Sequence, residues 1–375
     1  MPDPTRSPVR RRALAIQAAV VVALAGIAYL AAANASDKLA RQGIVGGFGF
    51  LWRNAGFDIS QRLIPYAAAT ATYGEAILVG LLNTLLVSGL AIVLATALGF
   101  ALGIARLGPN LLARWLAAGY IDLVRNLPLL LQLLVWYVAV RLALPDPQEP
   151  ASLWGIASLS QRGLYLPQPD LGGRGWAILV AGVLGLTAAV VARRWPLRLA
   201  LILGAPVLTL AGLWLAGTPF AVSWPVRGPY DVEGGLAVLP EFAALLIGLS
   251  TYTAAFIAEI VRAGLMSVPV GQTDAARAIG LSRSQTLRLV TVPQAMRVIV
   301  PPLTSQYLTL TKNSSLAVLI GYPDLVHVVM GTVLNQTNQA IEAVAITMAV
   351  YLLVSLSTAL AMNAYNARVA PAGRR

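Results

Sequence analysis

Side chains able to make or break bonds are scarce in this sequence of 375 residues. There is no cysteine, which excludes disulfide frameworks, thiol catalysis and zinc sites built on thiolates. The single histidine, His327, leaves no histidine cluster for a metal or a proton relay. A phosphate-cradling loop of the Walker A type needs Gly-Lys-Ser/Thr. The only lysines, Lys38 and Lys312, follow Asp37 and Thr311 instead. The carboxylates Glu75, Glu241, Glu259 and Glu342 fall near the ends of apolar runs. A membrane-embedded enzyme would cluster such groups, and an ion-coupled carrier would set them deep in its spans. The sequence therefore offers no catalytic, cofactor-binding or metal site.

One polar stretch has a different kind of chemistry. Residues 267–300 read SVPVGQTDAARAIGLSRSQTLRLVTVPQAMRVIV. Gln272 to Ile279 contains no helix breaker and predicts a short helix. Gly280 can take positive φ and end it. Ser282 with Gln285 three residues later forms a capping box for a second helix. Pro293 stops or bends that one. The pattern predicts a helix–turn–helix against a membrane surface. Its polar face carries Asp274, Arg277, Arg283, Gln285 and Arg288, while Ala275, Ala278, Ile279, Leu287 and Val290 pack inward or offer a knob to a partner.

The elements that must hold this stretch are apolar. The chain is 58% hydrophobic and 11% charged, with mean hydropathy +0.73. A soluble domain is about one-quarter charged. Eight segments are long enough for a bilayer core of roughly 30 Å: 13–33, 77–105, 127–143, 176–192, 199–217, 241–266, 301–321 and 340–366. None alternates with the period of a barrel strand, so the fold class is an all-α integral membrane protein of about eight spans. Arg10, Arg11 and Arg12 precede the first segment, and Ala33-Asn34-Ala35 resembles a cleavage site. Its apolar run of about 21 residues exceeds the roughly 7–15 of a signal core, so it reads as a retained anchor helix. With the N-terminus inside, eighteen Lys and Arg fall on the inner side and eight on the outer. That bias puts both termini in the cytoplasm and accounts for the formal charge of +12 without nucleic acid. Residues 34–75 and 144–175 then face outside. Trp52, Phe57, Trp154, Tyr165, Trp176 and Trp224 lie near outer span ends, as interfacial aromatics do. Residues 176–217 read as a helical hairpin turned at Arg193-Arg194-Trp195-Pro196.

The loop resembles the "EAA" loop of ABC-importer permeases. The likeness rests on Asp274-Ala275-Ala276, Gly280, Val290 and Pro293, with Asp for the usual Glu and Val292 where Leu is common. Its flanks, Tyr252 to Gly264 and Val268-Pro269-Val270-Gly271-Gln272, resemble the polar-amino-acid branch. So do Arg125-Asn126-Leu127-Pro128-Leu129-Leu130 and Leu310 to Ala317. The extra first helix, the long outer loop and the hairpin resemble the larger subunits of general L-amino-acid systems. The resemblance implies a type I importer core of about five helices in a multi-pass protein of the bacterial inner membrane. It divides the chain into an anchor helix with a periplasmic loop (1–65), a first core part (66–143) and periplasmic loops with the inserted hairpin (144–239). A second core part (240–368) carries the coupling loop 267–297, and a cytoplasmic tail (369–375) follows. It implies a second, non-identical permease, a cytoplasmic ATPase dimer that uses ATP-Mg, and a periplasmic amino-acid-binding protein. Gly271, Asp274, Ala275, Ala276, Arg277, Gly280, Arg283 and Pro293 would couple to the ATPase. An ion-coupled secondary amino-acid transporter is the rival reading.

Several residues carry two readings each. Lys312 falls near the middle of the seventh span, where a charge costs about 2.5–3.5 kcal/mol and must face protein or water. Lys312, Asn313, Ser314 and Ser315 either line the amino-acid path or clamp helices together. Ser250, Thr251 and Thr253 either bond a substrate or permit close helix packing. Glu259 and Arg262, three apart, form a local ion pair or touch the coupling loop. Arg125 anchors to headgroups or gates the inner mouth. Asp324 and His327 read as a solvated outer turn, with docking or gating as the rival. Asn335, Gln336, Asn338 and Gln339 read as outer-loop polar groups, and Glu342 opens the last helix.

Overall fold

The computed structural model describes residues 8–41, 46–170, 195–215, 221–228 and 232–369, with isolated positions between 175 and 185. In chain order the helices are α1 (Pro8–Arg41), α2 (Tyr73–Leu107), α3 (Leu111–Asn126), α4 (Leu129–Ala143), α5 (Trp195–Leu215), α6 (Pro240–Met266), α7 (Val270–Ala278), α8 (Arg283–Thr286), α9 (Val292–Asn313), α10 (Leu334–Thr337) and α11 (Ala340–Val369). Among the described residues, three helices are long and apolar enough to cross a bilayer: Tyr73–Leu107, Pro240–Met266 and Ala340–Ala364. The pair α3 and α4, bent by 109°, counts as a fourth if it is one broken span. The expected span 176–192 lies mostly outside the described residues.

Local chemistry sets where α2 begins. Thr72 Oγ1 accepts from the Glu75 amide at 3.3 Å, and the Glu75 carboxylate accepts from the Thr72 amide at 2.7 Å. This capping box satisfies two donors that the helix itself cannot. Along one face of α2, small residues recur every fourth position: Ala91, Ala95, Gly99 and Gly103, all buried. They let α6 approach closely, as small-residue ladders do in lipid. A Cβ at Gly99 would sit 2.6 Å from the Ile257 side chain, and one at Gly103 would sit 2.7 Å from the Ala258 carbonyl. Contacts that advance together along both helices mean that they run parallel. Around this pair, Leu133 of α4 and Ile299 and Leu310 of α9 complete the main core with Leu245, Leu249 and Ile257. A second cluster outside the main core joins Phe50, Ile59, Tyr66 and Tyr73 to Val79 and Val328.

The insert between α4 and α6 corrects the all-α expectation. Among the described residues, 151–238 contain eight short strands, of which β1 (Ala151–Leu153), β2 (Ala157–Ser160), β3 (Gly163–Leu166) and the last, Leu236–Val238, form one antiparallel sheet in that order. The strands are two to four residues long and tightly turned. Trp154 at φ 52° and Gly155 at φ 71° make the first turn, and Gly163 at φ 146° follows the second. Strands this short leave too little alternation for a periodicity reading to detect. Tyr165 is buried in this sheet and Phe57 packs half-buried on the outer cluster, whereas Trp52 and Trp154 are exposed.

Three more expectations change. Residues 111–126, which none of the expected spans covers, form an amphipathic helix, α3. Pro293 does not end a helix. A π-helical turn over Leu287–Thr291 joins α8 to α9, and Pro293 falls in the first turn of α9, directly after that widened turn. Finally, α9 starts at Val292, gives way to a 3₁₀ run over Ser314–Ile320, and breaks at Gly321-Tyr322-Pro323-Asp324. Helix resumes as a π-helical stretch, His327–Val333, leading into α10.

Candidate functional site

The elbow between α7 and α8 is built on one backbone angle. Gly280 has φ 84°. The Leu281 amide donates to the Ala276 carbonyl at 3.1 Å and the Gly280 amide to the Arg277 carbonyl at 2.9 Å. Together these are the two bonds of a Schellman cap, and they fix the chain direction. The next helix starts on the expected capping box, with the Ser282 amide 2.8 Å from Gln285 Oε1. Ala276 is buried and anchors α7, while Gln294 Nε2 donates to Gln272 Oε1 at 3.3 Å and ties α7 to α9. The outer surface of the elbow holds exposed Gly271, Asp274, Ala275, Arg277, Arg283 and Pro293, with Ile279 77% exposed among them. Asp274 and Arg277 form an open pair at 3.9 Å, both well exposed, which contributes little to stability. A stiff corner offering an apolar knob beside a carboxylate is suited to fitting a cleft on another protein.

Near the C-terminal ends of α2, α3 and α6 lies a charge node. Glu259 takes Arg262 Nε at 3.1 Å on both oxygens and Arg106 Nη1 at 2.8 Å. Arg106 also reaches Asp122 at 3.6 Å. The i, i+3 pair was legible from spacing. Arg106 and Asp122 were not, because their elements meet Glu259 only after folding. Arg125, expected at headgroups or at the inner mouth, has its guanidinium 5.4 Å from the centre of the Phe256 ring.

The intramembrane polar residues lie on α6 and α9. Gly264 faces Ile299 and Ala295, while Tyr307 meets Thr96 at 2.9 Å on the stretch of α2 whose Gly99 faces Ala254 and Ile257, so the two helices run antiparallel. Equal rise per residue then puts Ser250 and Thr251 near the depth of Thr311 and Lys312. Ser250 and Thr253 are buried in α6, and Thr251 Oγ1 bonds back to the Ile247 carbonyl at 2.8 Å. Ser314 Oγ bonds to the Thr311 carbonyl and Ser315 Oγ to the Lys312 carbonyl, each at 2.7 Å. Asn313 is half-buried and Lys312 exposed. Among the described residues no carboxylate lies within ion-pair distance of Lys312. Ser305, Thr309 and Lys312 are exposed at i, i+4 and i+7, so one uncovered face of α9 is polar.

Above them, the break at 321–324 is a built feature that the sequence reading missed. Asp324 is fully buried, not a solvated turn. Its Oδ1 accepts from the His327 amide at 2.8 Å and caps the helix that follows. Asn83 Nδ2 donates to the carbonyls of Gln61 at 2.8 Å and Pro323 at 2.9 Å. Thr84 Oγ1 accepts from the Leu325 amide at 3.0 Å, and Tyr322 OH donates to the Asn83 carbonyl at 3.2 Å. Side chains of α2 thus satisfy the backbone that the break leaves open, as irregular chain in a bilayer requires. Of the expected outer polar groups, Gln339 is buried and Gln336 accepts from Tyr73 OH at 2.9 Å.

The chain is similar to known proteins over nearly its whole length. The putative amino-acid ABC transporter permease protein YhdX of Escherichia coli (strain K12) is 48% identical over 374 residues, covering 96% of this chain and 94% of its own. The general L-amino acid transport system permease protein AapQ of Rhizobium johnstonii is 44% identical over 96% of this chain and 92% of its own. The glutamate/glutamine/aspartate/asparagine transport system permease protein BztB of Rhodobacter capsulatus is 40% identical over 95% and 93%. Residues 95–371, which hold the elbow, the charge node and the break, match the model of the binding-protein-dependent transport system inner membrane component, and the chain belongs to that family.

Proposed function

We propose that this permease moves L-amino acids across the bacterial inner membrane by alternating access, driven by a separate ATPase dimer. The observation that carries the reading is the Schellman-capped elbow, which presents exposed Asp274 and Ile279 on a corner whose direction two backbone hydrogen bonds fix. An element that transmits force has to be stiff and has to end in a specific contact. Gly271, Asp274, Ala275, Ala276, Arg277, Gly280, Arg283 and Pro293 form or support that contact. ATP-Mg is bound and hydrolysed on the partner, not on this chain. The exposed Ser305, Thr309 and Lys312 support a path along Lys312, Asn313 and Ser315; Ser314, Ser250, Thr251 and Thr253 lie at the same depth, with Ser314, Ser250 and Thr253 buried behind that face. Lipid would penalise that face, so it turns toward water and a second, non-identical permease. A periplasmic binding protein delivers the substrate. In this reading both termini are cytoplasmic and the core consists of about five helices.

Coupling works only if the ATP-bound dimer binds one permease state more tightly than the other. Asp274→Arg tests the contact. We expect normal membrane insertion, weakened ATPase attachment on co-purification, and loss of ATP-driven amino-acid uptake in proteoliposomes. Uptake equal to wild type would remove Asp274 from the mechanism.

A further inference from the structure

The elbow has two roots. One is α9, through the π-helical turn; the other is α6, which ends at Met266 with three residues between it and α7. Whatever grips the last turns of α6 decides how far a push on the elbow travels. The small-residue ladder stops short of them, because its last step sets Gly103 of α2 against Ala258 and Val261. Helix α3 touches α6 earlier still. Tyr120 OH donates to the Thr251 carbonyl at 2.7 Å, and Arg125 lies over the Phe256 ring. Thr251 is about 12 Å back along α6 from Glu259. Past these points the grip toward α2 and α3 is ionic. Arg106 uses its two terminal nitrogens on two helices: Nη1 donates to Glu259 Oε2 of α6 at 2.8 Å, and Nη2 lies 3.6 Å from Asp122 Oδ1 of α3. The side chains of Arg106 and Glu259 are only 23% and 25% exposed, so salt screens their bond less than it would a surface pair. Arg262 bonds the same carboxylate and the Met266 sulfur, both on its own helix.

We propose that Arg106 is the positioning residue that passes the elbow's motion to α2 and α3. A guanidinium presents its donors in a fixed planar fork, so one side chain can hold carboxylates on two elements at once. An ammonium on a flexible stem is a point charge and does not match that geometry. With the fork in place, the last turns of α6 move together with α2 and α3. Without it, α6 can bend past Gly103 and absorb the push locally, so that ATP is hydrolysed with little transport. The two arginines on Glu259 therefore differ in role: the bond from α2 couples helices, and the bond from Arg262 only braces the carboxylate. Arg106 lies outside the contact surface of the elbow, and its role rests on the ATPase-coupling reading given above.

The test uses the whole complex, both permeases with the ATPase, in proteoliposomes supplied with binding protein and a mixture of radiolabelled L-amino acids. The readout is amino acid imported per ATP hydrolysed. Arg106→Gln is expected to keep ATPase co-purification within about twofold of wild type and to lower that ratio about tenfold. Arg262→Gln, which leaves the bridge between helices in place, is expected to keep the ratio within about twofold. Arg106→Lys, which keeps the charge without the fork, is expected to fall between, about threefold below wild type. A merely structural role would reduce the amount of assembled complex and leave the ratio unchanged. An Arg106→Gln ratio equal to wild type therefore overturns the proposal, as does an equal loss in Arg262→Gln. Where Arg106→Gln yields too little complex to assay, the Lys variant decides, and a wild-type ratio there overturns the proposal as well. A wild-type complex without ATP-driven uptake would sink the transport reading and the proposal with it. Normal wild-type uptake with an unchanged Arg106→Gln ratio sinks the proposal alone.

Discussion

A side chain at Gly280 would strain the backbone at the point where the coupling corner turns. Placing a Cβ in the left-handed region costs roughly 1–2 kcal/mol, and a β-branched residue fares worse. Asn tolerates that region through local hydrogen bonding. Gly280→Asn should therefore keep ATPase co-purification within about twofold of wild type, and Gly280→Val should reduce it about tenfold. Quantitative pull-down from membranes checks both, and undiminished attachment of the Val variant would mean that the ATPase does not read the corner's shape. This residue was legible in the sequence, as was the Ser282–Gln285 box, because both act over three or four positions. Glu259 shows where that legibility ends. Its pairing with Arg262 follows from spacing, but its bond to Arg106 spans 153 positions and depends on α2 lying parallel to α6.

The elements divide in the same way. Long apolar runs predicted α2, α6 and α11 to within a few residues, because lipid demands about 20 consecutive apolar positions. The break after α9 was misread for an equally physical reason. Gly-Tyr-Pro-Asp has the composition of an exposed turn, and nothing nearby reveals that Asn83 and Thr84, some 240 positions earlier, hold it inside the protein. The short strands of the insert between α4 and α6 escaped notice because they hold together through pairing across turns rather than through their own patterning. The break yields a prediction at this scale. Asn83→Leu keeps the size of the side chain but leaves the Gln61 and Pro323 carbonyls without their donor. Each unpaired buried group costs about 1–3 kcal/mol. The purified permease should lose several degrees in thermal unfolding in detergent, with uptake falling in parallel. An unchanged melting temperature would show that the break is held by packing alone, through Gly80 against Leu325 and Val328.

Taken whole, the subunit is incomplete in lipid. Its helices bury an apolar core among themselves, yet α9 turns Ser305, Thr309 and Lys312 outward. A lysine facing hydrocarbon costs about 2.5–3.5 kcal/mol on insertion scales, a large share of the few kcal/mol by which proteins are stable. The surface therefore needs a polar or aqueous counterpart, which the paired permease and the path between them would supply. Two opposite effects of one substitution follow. Produced without its partners, wild-type chain should be degraded quickly, and Lys312→Leu should accumulate several-fold more of the lone subunit in membranes. In the full complex the same change should leave assembly intact and reduce uptake at least tenfold. Quantitative blotting of membranes and proteoliposome uptake read the two arms. If the lone Lys312→Leu subunit is no more abundant than wild type, the exposed face is already covered by this chain. If the assembled variant transports normally, Lys312 neither lines the path nor gates it.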